Sequence, residues 1–275
     1  MIKRTRSFLK MVGGKYNALE QLLPSFSKAK RFIEPFAGSG TIFLNINYPS
    51  YVLAEINADL INLYQYIRDE GESFVDYCTS FFTIENNTQE YYLQARADFN
   101  KITNKRLHAA LFLYLNRHGY RGLSRYSQKS GYNVPFVHNK TIYFPHKELQ
   151  AFHHKSQQAE FLHADFRTTF ALAEPDDLIY CDPPYAPIIS QKSNFTSYMG
   201  VKFGAEEHIA LAAYALNAAR HGSTVLISNH DTDFTRKIYQ KAEIQSFPVI
   251  RRIGVDKTQH HRTTELLAIF HATKS

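Results

Sequence analysis

Residues 31–56 read RFIEPFAGSGTIFLNINYPSYVLAEI, and the order of their residue types decides the fold class. The first apolar run predicts a strand, and Gly38 and Gly40 predict a tight turn directly after it. Residues 41–46 then predict a short helix, and the apolar run at 51–56 predicts a second strand. Because a strand, a crossover and a further parallel strand form one unit of a doubly wound sheet, we expect an α/β protein.

The sheet pattern stops after residue 56 and later returns. Residues 58–117 carry helical periodicity without a convincing buried strand, and the turn-rich stretch that follows, including SGYNVPFV and TIYFP, predicts a β-hairpin. Strands and helices then alternate again, with strands at AEFLHA, DDLIYC and TVLISN and a closing pair at FPVIRRI and ELLAIF. We therefore predict a catalytic domain formed by residues 1–56 and 146–275, with a helical domain inserted at 57–145.

Positive charge is concentrated in two segments of a chain whose formal net charge is +7. The first 19 residues contain five basic and no acidic side chains, and residues 99–147 contain no Asp or Glu. The basic residues of the longer segment are Lys101, Lys105, Arg106, Arg117, Arg121, Arg125, Lys129, Lys140 and Lys147. This distribution is typical of a protein that binds a polyphosphate, and the alternative is a solvated basic face.

The composition excludes several classes of protein. Two cysteines in 275 residues are too few for a disulfide-stabilised secreted domain, and they indicate a reducing compartment. No stretch has the length and apolarity of a membrane span, and the N-terminal sequence is interrupted at Gly13, before a signal peptide would be complete. We therefore expect a cytoplasmic protein with no membrane partner.

The turn between Phe36 and Gly40 suits a bound nucleotide, because its glycines let a ligand approach the backbone and the following helix offers unpaired N–H groups. Position 43 is a phenylalanine where the dinucleotide fingerprint has its third glycine, which argues against NAD. Glu55 follows Phe36 by 19 residues, close to the offset at which a carboxylate binds ribose hydroxyls. The alternative for Glu55 is a capping role at the end of a strand.

The strongest chemical signal is Asp182-Pro183-Pro184-Tyr185, which directly follows a short apolar strand. Ligands of an open α/β sheet bind at this end of the strands. Two prolines remove two backbone donors, which leaves the Pro183 carbonyl able to accept a hydrogen bond from a ligand. If this carbonyl and Asp182 accept both hydrogens of an exocyclic amine, the nitrogen lone pair becomes localised and nucleophilic, while Tyr185 stacks on the ring. The alternative is a structural Pro-Pro turn.

Two weaker features lie near this motif. The segment Ser228-Asn229-His230-Asp231 ends another strand on the same side, where it either supports the site or forms a plain turn. Cys181 precedes the motif on a buried strand, so we interpret it as a packing residue rather than a nucleophile.

These motifs closely resemble those of the Dam-type DNA adenine N6-methyltransferases of the alpha arrangement. The matching segments run in the family's order across nearly the whole chain: FLKMVGGK, EPFAGSGTIFLN, YVLAEINADLI, LFLYLNRHGYRGLSRYS, YNVPF, HADF, LIYCDPPYAP, NFT, LISNHDT and ELLA. The resemblance implies a Rossmann-like S-adenosylmethionine-dependent methyltransferase sheet, interrupted by a helical target-recognition domain that carries the β-hairpin.

The resemblance also implies a reaction. A methyl group passes from S-adenosylmethionine to the N6 of an adenine flipped out of double-stranded DNA, in the sequence GATC, with S-adenosylhomocysteine as the product and no metal. We expect the enzyme to act as a monomer on DNA in the nucleoid.

Site residues follow from the resemblance position by position. The catalytic element is Asp182, Pro183, Pro184 and Tyr185, and Asp182 also lies near the methionine end of the cofactor. The implied cofactor residues are Met11, Lys15, Phe36, Gly38, Gly40, Glu55, Asp165 and Phe166. The implied DNA-binding residues are Lys10, Tyr120, Arg121, Leu123, Arg125, Pro135 and Asn139.

Three of the DNA-binding residues have distinct implied roles. Tyr120 resembles the aromatic wedge at the point where the target base leaves the helix, and Leu123 and Arg125 resemble the base-reading pair. Arg125 suits a guanine, because a guanidinium forms two hydrogen bonds with guanine N7 and O6.

Three departures from the family pattern accompany these matches. Met11 stands where relatives often have tryptophan, Arg121 replaces a more usual amide, and Val137-His138-Asn139 replaces a glycine, a basic and an aromatic residue. We expect them to alter the cofactor affinity, a contact with a phosphate or the orphaned base, and the reading of one outer base pair, respectively. Two alternatives stay open: the same chemistry on an RNA adenine or a protein glutamine, and an inactive DNA-binding homologue.

Overall fold

A computed structural model describes residues 4–187, 197–198, 201–252 and 260–273 of the 275-residue chain. The Asn194-Phe195-Thr196 segment of the family resemblance lies outside these residues. Within them, no helix combines the length and the apolarity needed to cross a membrane. Cys78 and Cys181 are both buried free thiols, as the cysteine count predicts.

The strands of the described residues form one large and two small sheets. In chain order they are β1 (Arg31–Glu34), β2 (Tyr51–Glu55), β3 (Tyr126–Ser127), β4 (Gly131–Tyr132), β5 (Ala159–His163), β6 (Asp177–Cys181), β7 (Ser197–Tyr198), β8 (Val201–Lys202), β9 (Thr224–His230), β10 (Glu243–Arg252) and β11 (His260–Phe270). The large sheet has seven strands in the order β10-β11-β9-β6-β1-β2-β5, while β3 pairs with β4 and β7 with β8.

The α-helices of the described residues vary from one turn to sixteen residues. In chain order they are α1 (Leu19–Leu22), α2 (Ala58–Glu70), α3 (Glu72–Thr79), α4 (Gln89–Phe99), α5 (Lys105–His118), α6 (His146–Ser156), α7 (Phe166–Phe170), α8 (Ala205–Arg220) and α9 (Asp233–Ile238). Several begin at a side chain that accepts hydrogen bonds from the first-turn amides, such as Asn57 before α2 and Asp165 before α7.

The centre of the large sheet is parallel and its far edge is antiparallel. β6 pairs in parallel with both β1 and β9, whereas β11 runs antiparallel to β9 and to β10. Leu178, Ile179, Tyr180 and Cys181 of β6 are fully buried, which explains why this strand reads as a continuous apolar run. The strand order reverses between β1 and β6, which is the switch point at which doubly wound sheets bind ligands.

The chain divides into two compact units. One comprises Met1–Asn17, Ala37–Asn47 and Leu53–His163, and the other comprises Ala18–Phe36, Tyr48–Val52 and Ala164–Ser275. The prediction of a domain inserted at 57–145 stays a prediction.

Each unit has an aromatic core of its own. In the first unit, the Phe152 ring lies 5.1 Å from Phe8 and 4.7 Å from Tyr64. In the second, the Phe26 ring lies 5.3 Å from Tyr180 and 6.0 Å from Phe32. Edge and offset ring contacts of this kind stabilise cores beyond the area they bury.

The helix predicted for residues 41–46 is wrong, because only a single 3₁₀ turn, Phe43–Asn45, forms there. The Asn45 side chain donates to the Thr41 carbonyl at 2.8 Å and to the Thr5 carbonyl at 2.9 Å, and it accepts from the Thr5 amide at 2.8 Å. The Asn45 side chain thus bonds to backbone groups of Thr41 and Thr5, and such side-chain bonds compete with continuation of a helix. The apolar periodicity of residues 41–46 does not reveal this competition.

The predicted β-hairpin exists, but it is shorter than expected and lies earlier in the chain. It pairs Tyr126 with Tyr132 and Ser127 with Gly131, and TIYFP contributes no strand. Beyond β4 the only pairing of this stretch within the described residues is a bridge between Phe136 and Gly119. Pro135 and Pro145 each lack an amide donor, so neither flank extends the ladder.

Candidate active site

The second unit brings Phe36 and Asp182 out at the same edge of the sheet. Ile33 of β1 is paired in register with Ile179 of β6, and Phe36 and Asp182 each follow three residues later. Pro183 is buried and Asp182 is half-buried. The Asp-Pro-Pro-Tyr segment therefore begins at the switch point of the sheet, where ligands of such folds bind.

The carboxylate of Asp182 is held by the neighbouring strand β9. Ser228 Oγ donates to Asp182 Oδ1 at 2.9 Å, and Ser228 Oγ and the Tyr180 hydroxyl lie 3.0 Å apart. Ser228 and Tyr180 are fully buried. Burial, followed by the charge of Asp182, raises the pKa of Tyr180 well above its ordinary value, so its hydroxyl keeps its proton.

Two residues at the end of β9, Asn229 and His230, form hydrogen bonds with the backbone of the turn that follows the two prolines. The Ala186 amide donates to Asn229 Oδ1 at 3.0 Å, and His230 Nδ1 lies 2.7 Å from the Ala186 carbonyl oxygen. Ala186 is 1% exposed and Asn229 is fully buried, so the bond between them does not compete with bulk water. Ser228, Asn229 and His230 therefore hold the segment from Asp182 to Ala186 through hydrogen bonds, and their support of a functional site stays a prediction.

Tyr185 is oriented by Glu265, which belongs to the matching segment ELLA but is not among the predicted site residues. Its hydroxyl donates to Glu265 Oε2 at 2.9 Å, and its ring lies 4.9 Å from His230 in an edge contact. Burial, followed by the charges of Asp182 and Glu265, raises the pKa of Tyr185 well above its ordinary value. Glu265 is 3% exposed in β11, directly before the apolar residues 266–270. Because acidic residues are seldom buried unless they are paired, an acidic residue next to this apolar run was the feature of the sequence that could have indicated its role.

Aromatic rings surround Phe36 on the same unit. Phe166 stacks on Phe36 at 5.8 Å with an interplanar angle of 25°, and Phe203 meets Phe36 edge-on at 5.7 Å. Asp165, the residue before Phe166, accepts from the amides of Arg167 and Thr168 and forms an ion pair with Arg167 at 2.9 Å. The predicted pair Asp165 and Phe166 therefore lies beside Phe36, at the start of α7.

The first unit contains the glycine turn and Glu55. The Gly38 amide donates to Glu55 Oε2 at 3.1 Å, and the Asn57 amide donates to Glu55 Oε1 at 3.2 Å. The Tyr64 hydroxyl donates to the Gly38 carbonyl. Gly40 has φ +67°, and a Cβ there would lie 3.2 Å from the Phe152 ring, so both backbone and packing require glycine.

The Glu55 carboxyl is 5% exposed, and its burial raises its pKa to about 6 against the opposing effect of the donated amides. The contact with Asn57 shows that Glu55 fastens the beginning of α2, which is the capping role weighed for it, while its contact with ribose stays a prediction. Each carboxylate oxygen has a second lone-pair site, so acceptor capacity for ribose hydroxyls remains.

The N-terminal segment with Lys10, Met11 and Lys15 is attached to α5 of the same unit. The Asn116 side chain accepts from the Lys10 amide at 2.9 Å and donates to the Lys10 carbonyl at 2.8 Å. Lys10 Nζ donates to the Arg117 carbonyl at 2.7 Å, and burial together with the nearby Arg117 charge lowers the pKa of Lys10. Lys15 is 8% exposed and donates to the Gly13 carbonyl at 3.3 Å, whereas Met11 is half-buried.

The predicted wedge lies on a short turn after α5. Tyr120 is 37% exposed, and its amide donates to the Pro135 carbonyl at 2.9 Å. Arg121 has φ +55°, a conformation that is rare for residues other than glycine, and its guanidinium lies 5.2 Å from the centre of the Tyr120 ring. The turn therefore presents an exposed aromatic ring and an adjacent cation together.

The remaining DNA-binding candidates lie on the same unit. Arg125 is exposed and donates from Nε to Asn133 Oδ1 at 2.6 Å and from Nη2 to the Asn133 carbonyl at 2.8 Å. The Leu123 carbonyl accepts from the Tyr132 hydroxyl at 3.2 Å, and Pro135 is exposed. Asn139 donates to the Arg117 carbonyl at 3.5 Å and accepts from Asn87 at 2.8 Å, which places it on the backbone of α5's last turn.

One group of potential metal ligands occurs in the described residues. Glu72, Asp76 and His146 each place a ligand atom within 4.8 Å of the others. The His146 ring already lies 2.9 Å from Glu72 Oε1, and two of the three side chains are exposed. None of them is among the predicted site residues.

Comparison with known proteins gives one family and several close relatives. A family model described as "D12 class N6 adenine-specific DNA methyltransferase" matches residues 12–253. The chain is 43% identical to a DNA adenine methylase of Vibrio cholerae over 270 residues, with 98% of this chain and 97% of the relative covered. A DNA adenine methylase of Haemophilus influenzae is 44% identical, with coverages of 98% and 95%, and one of Escherichia coli K12 is 40% identical, with coverages of 98% and 96%.

Likeness to solved structures is much weaker. A precorrin 8W decarboxylase of Methanobacterium thermoautotrophicum aligns with a TM-score of 0.41 at 8% identity, over 94% of this chain and 90% of that chain. A likeness at this level carries no argument about activity.

Proposed function

The chain belongs to the D12 class of N6 adenine-specific DNA methyltransferases and methylates adenine in DNA, and from that premise we propose that it acts on an adenine flipped out of double-stranded DNA in the sequence GATC. The observation that carries the catalytic part is the position of Asp182, directly after β6 at the switch point, with the Ser228 hydroxyl on its carboxylate. Access to N6 requires extrusion of the base, because a stacked and paired base cannot enter such a site.

The Asp-Pro-Pro-Tyr segment makes the amine nucleophilic. We assign one N6 hydrogen to the Asp182 carboxylate and the other to the Pro183 carbonyl, so that the lone pair no longer delocalises into the ring. S-adenosylmethionine, which the family implies as the methyl donor, would supply an electrophilic methyl group to that lone pair and would leave as S-adenosylhomocysteine. N6 then carries a positive charge and loses one proton, and Asp182, which already accepts that hydrogen, takes it and releases it to water.

Tyr185 is proposed to stack on the target adenine. Its hydroxyl bond to Glu265 fixes the ring direction, so the aromatic face rather than the phenol oxygen meets the base. This assignment gives Glu265 a role in orienting the base platform.

The residues proposed for the methyl donor fit its chemistry. Glu55 offers buried acceptor oxygens for ribose hydroxyls, and the stacked Phe36 and Phe166 rings offer an aromatic surface for an adenine. Asp165 has acceptor oxygens for an amino group, although its Oδ1 already caps α7. We expect Met11 to provide a flexible thioether contact and no aromatic wall, which weakens cofactor binding relative to chains with tryptophan there. We propose that catalysis needs no metal.

Sequence reading is assigned to the exposed residues after α5. Tyr120 is proposed to fill the space left by the flipped base, while Arg121 meets a phosphate or the orphaned base. Arg125 uses two of its five N–H donors on Asn133, so three stay available for guanine N7 and O6. We propose that Val137-His138-Asn139 alters the reading of one outer base pair, and that the protein works as a monomer on DNA in the cytoplasm.

The catalytic assignment is tested with Asp182→Ala in the purified protein. We expect methyl transfer to duplex GATC DNA to fall by at least about 10³-fold, because the amine loses its charged acceptor. S-adenosylmethionine binding, measured by calorimetry, serves as the control for folding. Transfer near the parent rate would show that Asp182 is not the catalytic carboxylate.

The acceptor and its sequence are tested separately. Expression in a methylation-free bacterial host, followed by mapping of modified adenines, is expected to mark GATC and no other four-base sequence. Competition with RNA distinguishes a different acceptor, and complete absence of methylation together with retained DNA binding would indicate an inactive homologue.

A further inference from the structure

We propose that Ser228, with the Tyr180 hydroxyl behind it, is a positioning residue that orients the Asp182 carboxylate toward the target amine. The inference rests on the proposed catalytic role of Asp182 and adds residues that the Asp-Pro-Pro-Tyr motif does not contain. Ser228 does not touch the substrate in this assignment and acts only through Asp182.

The placement follows from the pairing of two adjacent strands. Tyr180 and Cys181 of β6 lie opposite Leu226 and Ile227 of β9, so Asp182 and Ser228 are the next residues of the two parallel strands. Ser228 Oγ lies 2.9 Å from Asp182 Oδ1, 3.0 Å from the Tyr180 hydroxyl and 3.4 Å from the Cys181 carbonyl. All of these groups belong to the same compact unit.

Only one arrangement of the protons satisfies the two shorter contacts. An ionised carboxylate accepts and cannot donate, so the single hydroxyl hydrogen of Ser228 goes to Asp182. The Tyr180 hydroxyl must then donate to Ser228 Oγ. The chain of donors therefore runs from Tyr180 through Ser228 to Asp182, and such a chain strengthens its own members in a low-dielectric interior.

The charged surroundings explain why Asp182 needs these donors. Asp182, Glu34 and Glu265 all act by charge on Tyr180, and Asp182 and Glu34 act on Cys181. Glu34 and Glu265 are 2% and 3% exposed, so both of these carboxyl groups are poorly solvated. A carboxylate near other acidic groups and away from water is costly unless it accepts hydrogen bonds.

Orientation is the second consequence. The bond to Ser228 restricts rotation of the carboxyl group, which fixes where its oxygens lie relative to the Pro183 carbonyl. Since each carboxylate oxygen accepts more than one hydrogen bond, the contact leaves acceptor capacity for the amine. Because the Asp182 carboxylate is already oriented before the substrate binds, less of the binding energy is needed to order it.

The test compares Ser228→Ala with Ser223→Ala, a matched control. Ser223 is also fully buried just before β9, but its hydroxyl donates to the Glu174 carbonyl at 2.9 Å. We expect Ser228→Ala to lower kcat about tenfold or more, which is the worth of one hydrogen bond to a charged group, and to leave KM for duplex DNA and for S-adenosylmethionine within about twofold. Ser223→Ala is expected to keep the parent kcat.

The split between kcat and KM, together with a variant that conserves the side-chain volume, separates positioning from simple loss of packing. Ser228→Cys keeps the side-chain volume but donates weakly, so it is expected to behave like Ser228→Ala. Tyr180→Phe removes the donor behind Ser228 and is expected to give a smaller loss, about threefold.

Two results would overturn the inference: a kcat within about twofold of the parent in both Ser228→Cys and Tyr180→Phe, or an equal loss in Ser223→Ala. If Asp182→Ala keeps its activity, the proposed function fails as well. If Asp182→Ala is inactive and the Ser228 variants are not, only the positioning role fails.

Discussion

Glu55 illustrates how much one buried side chain does. Its two oxygens accept from Gly38 of the glycine turn and from Asn57 before α2, while burial raises its pKa to about 6. A carboxylate with an ordinary pKa would be insensitive to pH near neutrality. Here the group that we assign to the ribose hydroxyls changes its charge just below neutral pH.

Cofactor binding is therefore expected to depend on pH. The ionised Glu55 accepts two ribose hydroxyls better than the neutral acid does, so the Kd for S-adenosylmethionine should rise toward about tenfold per pH unit below pH 6 and level off above pH 7. Calorimetric titrations at several pH values measure it. Glu55→Gln is expected to bind more weakly with a flat profile, and a steep profile in that variant would assign the effect to another group.

The raised pKa of Glu55 also makes the free energy of unfolding depend on pH, in the direction opposite to that of cofactor affinity. The folded pKa of about 6 lies above the ordinary value of 4.5, so the neutral carboxyl favours the fold at low pH, and this contribution is lost as the pH rises through about 6. Affinity for the cofactor and stability of the free protein thus change oppositely with pH at this one residue.

At the scale of secondary-structure elements, the turn after α5 and the N-terminal segment are joined through hydrogen bonds of Asn116. Asn116 is 1% exposed and bonds to both backbone groups of Lys10, and it donates to the Gly122 carbonyl at 3.3 Å. Gly122 has φ +64° and leaves no room for a side chain against Lys10. The contact therefore fixes the turn that presents Tyr120 and Arg121.

Gly122→Ala is expected to disrupt this contact. The new Cβ would lie 2.3 Å from both Cβ and the carbonyl oxygen of Lys10, so the backbone of Lys10 must move. We expect a loss of about 2–4 kcal/mol in the free energy of unfolding, with weaker binding of duplex DNA. Thermal unfolding and a DNA titration measure the two effects.

Gly13→Ala is the matched control for this substitution. Gly13 also has a positive φ, +82°, but nothing lies within 4 Å of the position that a Cβ would take. It is expected to cost about 1 kcal/mol, the backbone strain alone. Equal losses in the two variants would show that the contact with Lys10 contributes nothing.

Elements with strong local signals were predictable from the sequence, and those fixed by distant contacts were not. The apolar runs of β1 and β6 and the long helix α8 have the predicted type, because burial alone determines their pattern. Residues 41–46 differ because Asn45 bonds to Thr5, a partner 40 residues away. The role of Glu265 was missed for the same reason, since its partner Tyr185 is 80 residues distant.

For the whole molecule, the distribution of charge matters more than the net value of +7. The run of nine basic residues without an acid lies between residues 99 and 147, and the described exposed members include Arg121, Arg125, Lys129 and Lys140. Basic side chains displace condensed counterions when they meet phosphates. DNA binding should therefore respond to salt in proportion to the phosphates contacted.

The slope of log Kd for duplex DNA against log salt concentration is expected to be about 5 or more, since each phosphate contact contributes about 0.9. Filter binding between about 50 mM and about 200 mM salt measures it. Replacing Lys129 and Lys140 with Gln should each lower the slope by up to about 1. A Kd that is constant across this range would contradict the assignment of the basic segment to DNA.

The hydrogen bond between Tyr185 and Glu265 also has a consequence for folding during translation, because it can form only after Glu265 has been synthesised. Glu265 is synthesised 80 residues after Tyr185, at a stage when β6 and β9 have long left the peptidyl-transferase centre. At typical translation rates this interval lasts on the order of ten seconds. The orientation that we propose for Tyr185 is therefore established only after β11 has been synthesised and has paired between β9 and β10.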